Sequence, residues 1–188
     1  MRLHITIFAL VLLPLSAQAQ SHRGVSVYAV GGKSMTSWHG QAGVAALNFE
    51  IARFLSPRTD VAFVLAPMNV HQPRSWFGNQ YGDGDEDVRA LSGSLLVRRY
   101  FGVQRERVHF YAEGSTGPMW SERRVPASTS RFNFVTQLGS GVIFMPHSAI
   151  PVIFGYRFMH ISNGGYAPRN PGLNVSSLVV GTQIRVRR

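Results

Sequence analysis

Apolar and polar residues alternate along most of this chain with a period of two, in runs of about 10 residues rich in Val, Phe, Tyr and Leu and bounded by turn residues. Eight such runs are found, at roughly 24–31, 40–54, 58–66, 87–101, 107–118, 131–145, 150–162 and 173–187. None keeps a helical period over any length, and after the first twenty residues no apolar stretch is long enough for a spanning helix. An even number of short alternating strands predicts an all-β fold, an eight-stranded antiparallel transmembrane β-barrel. The same strands could instead build a soluble β-sandwich.

Loop lengths favour the barrel. Ser56 to Arg58, Gly102 to Glu106 and Pro146 to Ser148 are short, whereas Gly32 to His39, Pro67 to Glu86, Met119 to Ser130 and Asn163 to Gly172 are longer. Alternating short and long connections are the bacterial barrel pattern, with short turns in the periplasm and long loops outside. Trp38, Trp76, Phe77, Tyr81, Trp120 and Tyr166 lie in or beside the long connections, where an interfacial girdle would stand. Glycines inside strands, as in Ala90 to Ser94 and Leu138 to Gly141, permit the bending that closure requires.

The N-terminus changes the compartment. Arg2, the apolar run Ile5 to Leu15 and the small-residue sequence Ala17-Gln18-Ala19 read as a signal peptide, residues 1–19, leaving a single barrel domain at 20–188. The chain has no cysteine, so neither disulfides nor thiolate metal sites enter the picture. Lys and Arg total 19 against 9 Asp and Glu, and all but Lys33 of the basic residues are Arg, whose planar fork suits phosphate. For an exported protein the expected phosphate-bearing partner is surface glycolipid, lipopolysaccharide in the outer membrane. Nucleic acid is set aside because export removes the chain from it.

The densest cluster of reactive side chains spans Gly155 to Gly165. Alternation puts Val152, Phe154, Tyr156, Phe158, His160 and Ser162 on one face, which must look into lipid, and Gly155, Arg157 and Met159 on the other, towards the lumen. His160 and Ser162 then stand two residues apart near the outer end of a strand, about 7 Å along it. An imidazole beside a hydroxyl can remove its proton and make a nucleophile of it. On spacing alone, two girdle residues explain the pair better than a catalytic one.

The run His160-Ile161-Ser162-Asn163-Gly164-Gly165, followed by Asn170-Pro171-Gly172-Leu173-Asn174, resembles the lipid A deacylases of the PagL type. The resemblance implies a serine esterase that removes the 3-hydroxyacyl chain at position 3 of lipid A. It assigns His160 as general base, Ser162 as nucleophile and Asn170 as the oxyanion donor. Asn163 and Gly164 match the turn that admits the substrate. The family's orienting acid falls on Asn174, and no Asp or Glu follows Glu122. An Asn carbonyl can fix the tautomer of an imidazole but cannot neutralise an imidazolium.

Other candidates carry less. The acidic run Tyr81 to Asp87 lacks calcium-loop spacing and reads as a solvated loop, and His39, His71, His109 and His147 lack metal-ligand spacing. No metal or cofactor is expected. The alternative to an esterase is a non-catalytic outer-membrane barrel that binds lipopolysaccharide or another surface partner. Whether two copies pair as a homodimer is left open by the sequence.

Overall fold

A computed structural model describes residues 23–35, 42–73, 86–102, 107–127, 129–146 and 148–186. The proposed signal segment, the aromatic residues Trp38, Trp76, Phe77 and Tyr81, the acidic residues Asp83 and Asp85, and His39 and His147 lie outside them.

Eight antiparallel strands follow one another around a closed barrel. They are β1 (Arg23–Ser34), β2 (Gly43–Ser56), β3 (Thr59–Gln72), β4 (Glu86–Phe101), β5 (Val108–Ser121), β6 (Phe132–Phe144), β7 (Val152–Ser162) and β8 (Leu173–Val186). β1 closes the ring on β8, with Val25 opposite Ile184 and Gly31 opposite Leu178. No strand edge is left open for lipid, as a spanning sheet requires.

β1 outruns the alternation reading at its end, continuing through Gly32 to Ser34, and so do two further strands in which a proline is the reason. The sequence places the end of β3 before Pro67 and that of β5 at Pro118, yet they continue to Gln72 and Ser121. Each proline lacks an N–H, so one ladder lapses beside it while the other continues. β2 and β3 pair at Phe49–Leu65 and again at Ala46–Met68, skipping Pro67, which still pairs with Leu91 of β4. β4 and β5 likewise pair at Leu95–Thr116 and Ser92–Met119, skipping Pro118, while Pro118 pairs with Phe134 of β6.

The two barrel faces settle the choice between barrel and sandwich. Ile51, Leu95 and Leu138 are 64–65 % exposed, and Phe63, Phe110, Phe154, Leu178 and Val180 stand out beside them. An apolar belt of this extent is stable only against lipid. The interior is where the charges lie. Arg98 and Arg157 are each 2 % exposed, in the lumen as alternation predicts for Arg157. A buried guanidinium is tolerable only when paired and fully hydrogen-bonded. Arg98 holds Glu50 through two bonds of 2.8 and 2.9 Å and reaches Glu113 at 2.9 Å. Arg157 binds the other oxygen of Glu113, and Gln137 at 2.9 Å, with its guanidinium over the ring of Tyr28. Tyr100 joins Asp60 to Gln183. This network fills the middle of the barrel and holds β2, β4, β5 and β7 together, so the chemistry of the site lies on the outer wall.

Candidate active site on the outer wall

β7 carries His160 and Ser162 outward. Its inner positions Ile153, Gly155, Arg157, Met159 and Ile161 are buried, while Val152, Phe154 and Tyr156 are exposed and Phe158, His160 and Ser162 half-buried. The reactive pair therefore sits at the end of the apolar belt, where an acyl chain meets its headgroup.

Strand register brings in the third residue. His160 lies directly opposite Asn174 of β8. The imidazole Nδ1 and the Asn174 carbonyl Oδ1 are 2.6 Å apart. Since the carbonyl only accepts, Nδ1 carries the hydrogen and Nε2 is left with its lone pair. Asn174 is itself tied at the backbone, its carbonyl accepting from the Met35 N–H at 3.0 Å.

On the other side of β7, Thr136 of β6 lies opposite His160 and Phe134 opposite Ser162. The hydroxyls of Thr136 and Thr116 are 3.0 Å apart and exposed, continuing a polar ledge from Asn174 through His160. Above it Phe134 packs edge-on against Phe132 with ring centroids 5.3 Å apart, and lies 6.1 Å from Tyr166. Ser162 thus stands beside an aromatic wall and above a row of hydroxyls, an amphipathic setting.

The loop after Ser162 is knitted by asparagines. Asn163 is fully buried; its amide donates to the Arg169 carbonyl at 2.7 Å, and its side-chain oxygen accepts from the Gly165 N–H at 2.9 Å. Gly164 and Gly165 have φ of +64° and +85°, a left-handed turn that other residues rarely adopt. The Asn170 side-chain oxygen Oδ1 accepts from the Asn163 N–H at 3.0 Å, which turns its NH2 group away from that bond at an exposed position. The side chain of Asn163 is committed to the loop, so what that residue and Gly164 offer an incoming molecule is backbone.

Reading the sequence by strand did not single out Gly172, Thr136 or Phe134 as site residues. Gly172, with φ of +67°, lies against the imidazole, so that a Cβ there would come within 2.8 Å of His160 Cε1. Its place in the motif, two residues before Asn174, was the only available signal. Gly172→Ala is expected to leave a folded barrel in which the imidazole is pushed off Asn174. Because a misplacement of about 1 Å can cost about 100-fold in rate, kcat should fall by about that factor with little change in KM. An unchanged kcat would show that the ring has room to spare.

Among the described residues no group of three or more His, Asp or Glu is placed to hold a metal ion. His71 is 3.2 Å from Asp87, and His109 faces the lumen on β5.

Comparison with known proteins bears on the family and the fold. The family described as lipid A 3-O-deacylase (PagL) matches residues 63–183. The crystal structure of the outer membrane enzyme PagL superimposes with a TM-score of 0.60 at 15 % identity, covering 86 % of this chain and 99 % of that one. Neisserial surface protein A gives a TM-score of 0.57 at 14 % identity, covering 90 % and 98 %. At these identities the two structures speak for the fold. No curated protein sequence matches the chain. With the family match spanning the last six strands, from β3 to β8, this eight-stranded outer-membrane barrel belongs to the PagL family of lipid A deacylases.

Proposed function

We propose that the protein is a lipid A 3-O-deacylase working as a serine esterase in the outer leaflet of the outer membrane, reached after export and removal of residues 1–19. The observation that carries this reading is the contact of 2.6 Å between His160 Nδ1 and Asn174 Oδ1 on the lipid face of the barrel, one outward position from Ser162.

His160 Nε2 takes the proton from the Ser162 hydroxyl as its oxygen attacks the carbonyl carbon of the ester at position 3. The carbonyl oxygen becomes an oxyanion, and the Asn170 NH2 group donates a hydrogen bond to it; one such donor is worth about 2.7–4 kcal/mol. The tetrahedral intermediate collapses, the bond to the sugar oxygen breaks, and the imidazolium returns its proton to that oxygen. The 3-hydroxyacyl chain is left esterified to Ser162. Water, deprotonated by His160, then attacks the carbonyl carbon of this acyl-enzyme; the bond to Ser162 Oγ breaks, the imidazolium returns its proton to that oxygen, and the fatty acid is released. Asn174 holds the imidazole in the tautomer these steps need. It supplies no negative charge to the imidazolium.

The absence of any Asp or Glu after Glu122 favours a second reading, a barrel that binds lipopolysaccharide without turning it over. A fluorophosphonate reagent separates the two. In detergent, wild-type protein is expected to gain one covalent label on Ser162, with Ser162→Ala unlabelled. Wild-type protein that stays unlabelled under conditions where it is folded would favour the binding barrel.

A further inference from the structure

At the end of the barrel that carries Ser162, the outer ends of β4, β5 and β6 gather four exposed arginines: Arg89, Arg123, Arg124 and Arg131. Their backbones are fixed close together. The Arg89 carbonyl accepts from the Glu122 N–H at 3.0 Å, and the Arg131 carbonyl from the Ser121 N–H at 3.0 Å. The buried Ser121 hydroxyl lies 2.7 Å from the Arg123 carbonyl and 3.0 Å from that of Arg131. Gln72, also buried, donates to the Arg124 carbonyl at 3.0 Å. Below them Val125 and Ala127 are buried in the core of the barrel mouth, so the segment is seated. Among the described residues two exposed carboxylates lie near the four: Glu122, which accepts from the Arg89 N–H at 3.1 Å, and Asp87, which stands 3.2 Å from His71. Among the described residues of this patch, four guanidinium groups stand against these two carboxylates.

Its height above the site fits one feature of a phosphorylated amphiphile. Arg131 precedes Phe134, the neighbour of Ser162, by three residues, on the order of 10 Å along a strand. An acyl ester lies at the boundary between chains and headgroup, and the phosphates of the headgroup lie further out, at the level of this patch. Guanidinium groups pair with phosphate through two parallel hydrogen bonds, which fix orientation as well as position. Resting on the lipid A reading above, we infer that Arg89, Arg123, Arg124 and Arg131 form a phosphate-docking site that holds the headgroup of the substrate lipid while its ester lies at Ser162.

The test uses binding, so it does not depend on turnover. The Ser162→Ala barrel in detergent micelles is titrated with diphosphoryl lipid A and with the same lipid after removal of its phosphates. The diphosphoryl form should bind about tenfold more tightly, as expected of two or three partly exposed charge pairs. Arg124→Gln with Arg131→Gln should remove most of that preference without changing affinity for the dephosphorylated lipid. Arg124→Lys with Arg131→Lys should keep part of it, which also guards against a folding defect. Arg53→Gln with Arg107→Gln, at the opposite end of the barrel, should leave it intact. Equal affinity for the two lipids, or an equal loss from the opposite-end pair, would overturn the inference. Failure of the esterase reading would show separately, as wild-type protein that releases no fatty acid.

Discussion

Replacing Ser162 by alanine is expected to lower the rate of lipid A deacylation by about 10⁴-fold or more, to the level left by binding and oxyanion contacts alone. The reason is chemical: Ala offers no oxygen to form the acyl-enzyme, and a water in its place is not held on the carbonyl. His160→Ala should cost about as much, because a hydroxyl without its base is a poor nucleophile at neutral pH. The double variant should be little worse than either, since nucleophile and base act as one unit. Both side chains are half-buried on the outer wall and take no part in the lumen network, so the variants should fold as wild type by circular dichroism. Ser162→Ala protein with wild-type turnover would remove Ser162 from the mechanism.

The second large effect is expected at Asn174. Its carbonyl stands 2.6 Å from Nδ1 of the imidazole, the place of a triad acid without its charge. Asn174→Ala deletes the acceptor, frees the ring to rotate and allows the other tautomer, in which Nε2 bears the hydrogen and cannot act as base. A loss of about 10²- to 10⁴-fold in kcat is expected, towards the effect of a wrong tautomer in a serine protease triad. Asn174→Asp is isosteric and adds the missing charge. Hydrogen bonds to charged groups exceed neutral ones by about 1–1.5 kcal/mol, so kcat should rise about tenfold. A rate unaffected by either substitution, measured on the same lipid, would mean that His160 is oriented by something else. The two variants also divide the esterase from the binding barrel: an inert wild type that gains turnover as Asn174→Asp would be a site held back by its missing acid.

What could be read from the sequence follows the reach of a period of two. Within one strand it sorts faces, so the eight strands, the lipid face of His160 and Ser162 and the inward Arg157 were all legible. The same period places Asn174 on the outer face, with Leu178 and Val180. The period ran out at Pro67 and Pro118, where a residue that usually ends a strand costs only one of two ladders. It does not tell which residues of different strands stand opposite one another. The pairing of Glu113 with both Arg98 and Arg157 depends on register around half the barrel. So does Thr136 beside His160. Gly172 was hidden for another reason: what it does is leave space for a ring that is distant in sequence, and an absent side chain carries no chemistry to recognise. The commitment of Asn163 to its own loop likewise depends on a turn whose conformation only the two glycines after it suggest.

The most direct test of the central claim is mass spectrometry of lipid A after incubation with refolded wild-type protein, beside Ser162→Ala. The account predicts that wild type alone releases one 3-hydroxyacyl chain, and that fragmentation places the loss at position 3. Lipid A left unchanged by folded wild-type protein, or shortened equally by Ser162→Ala, would contradict it.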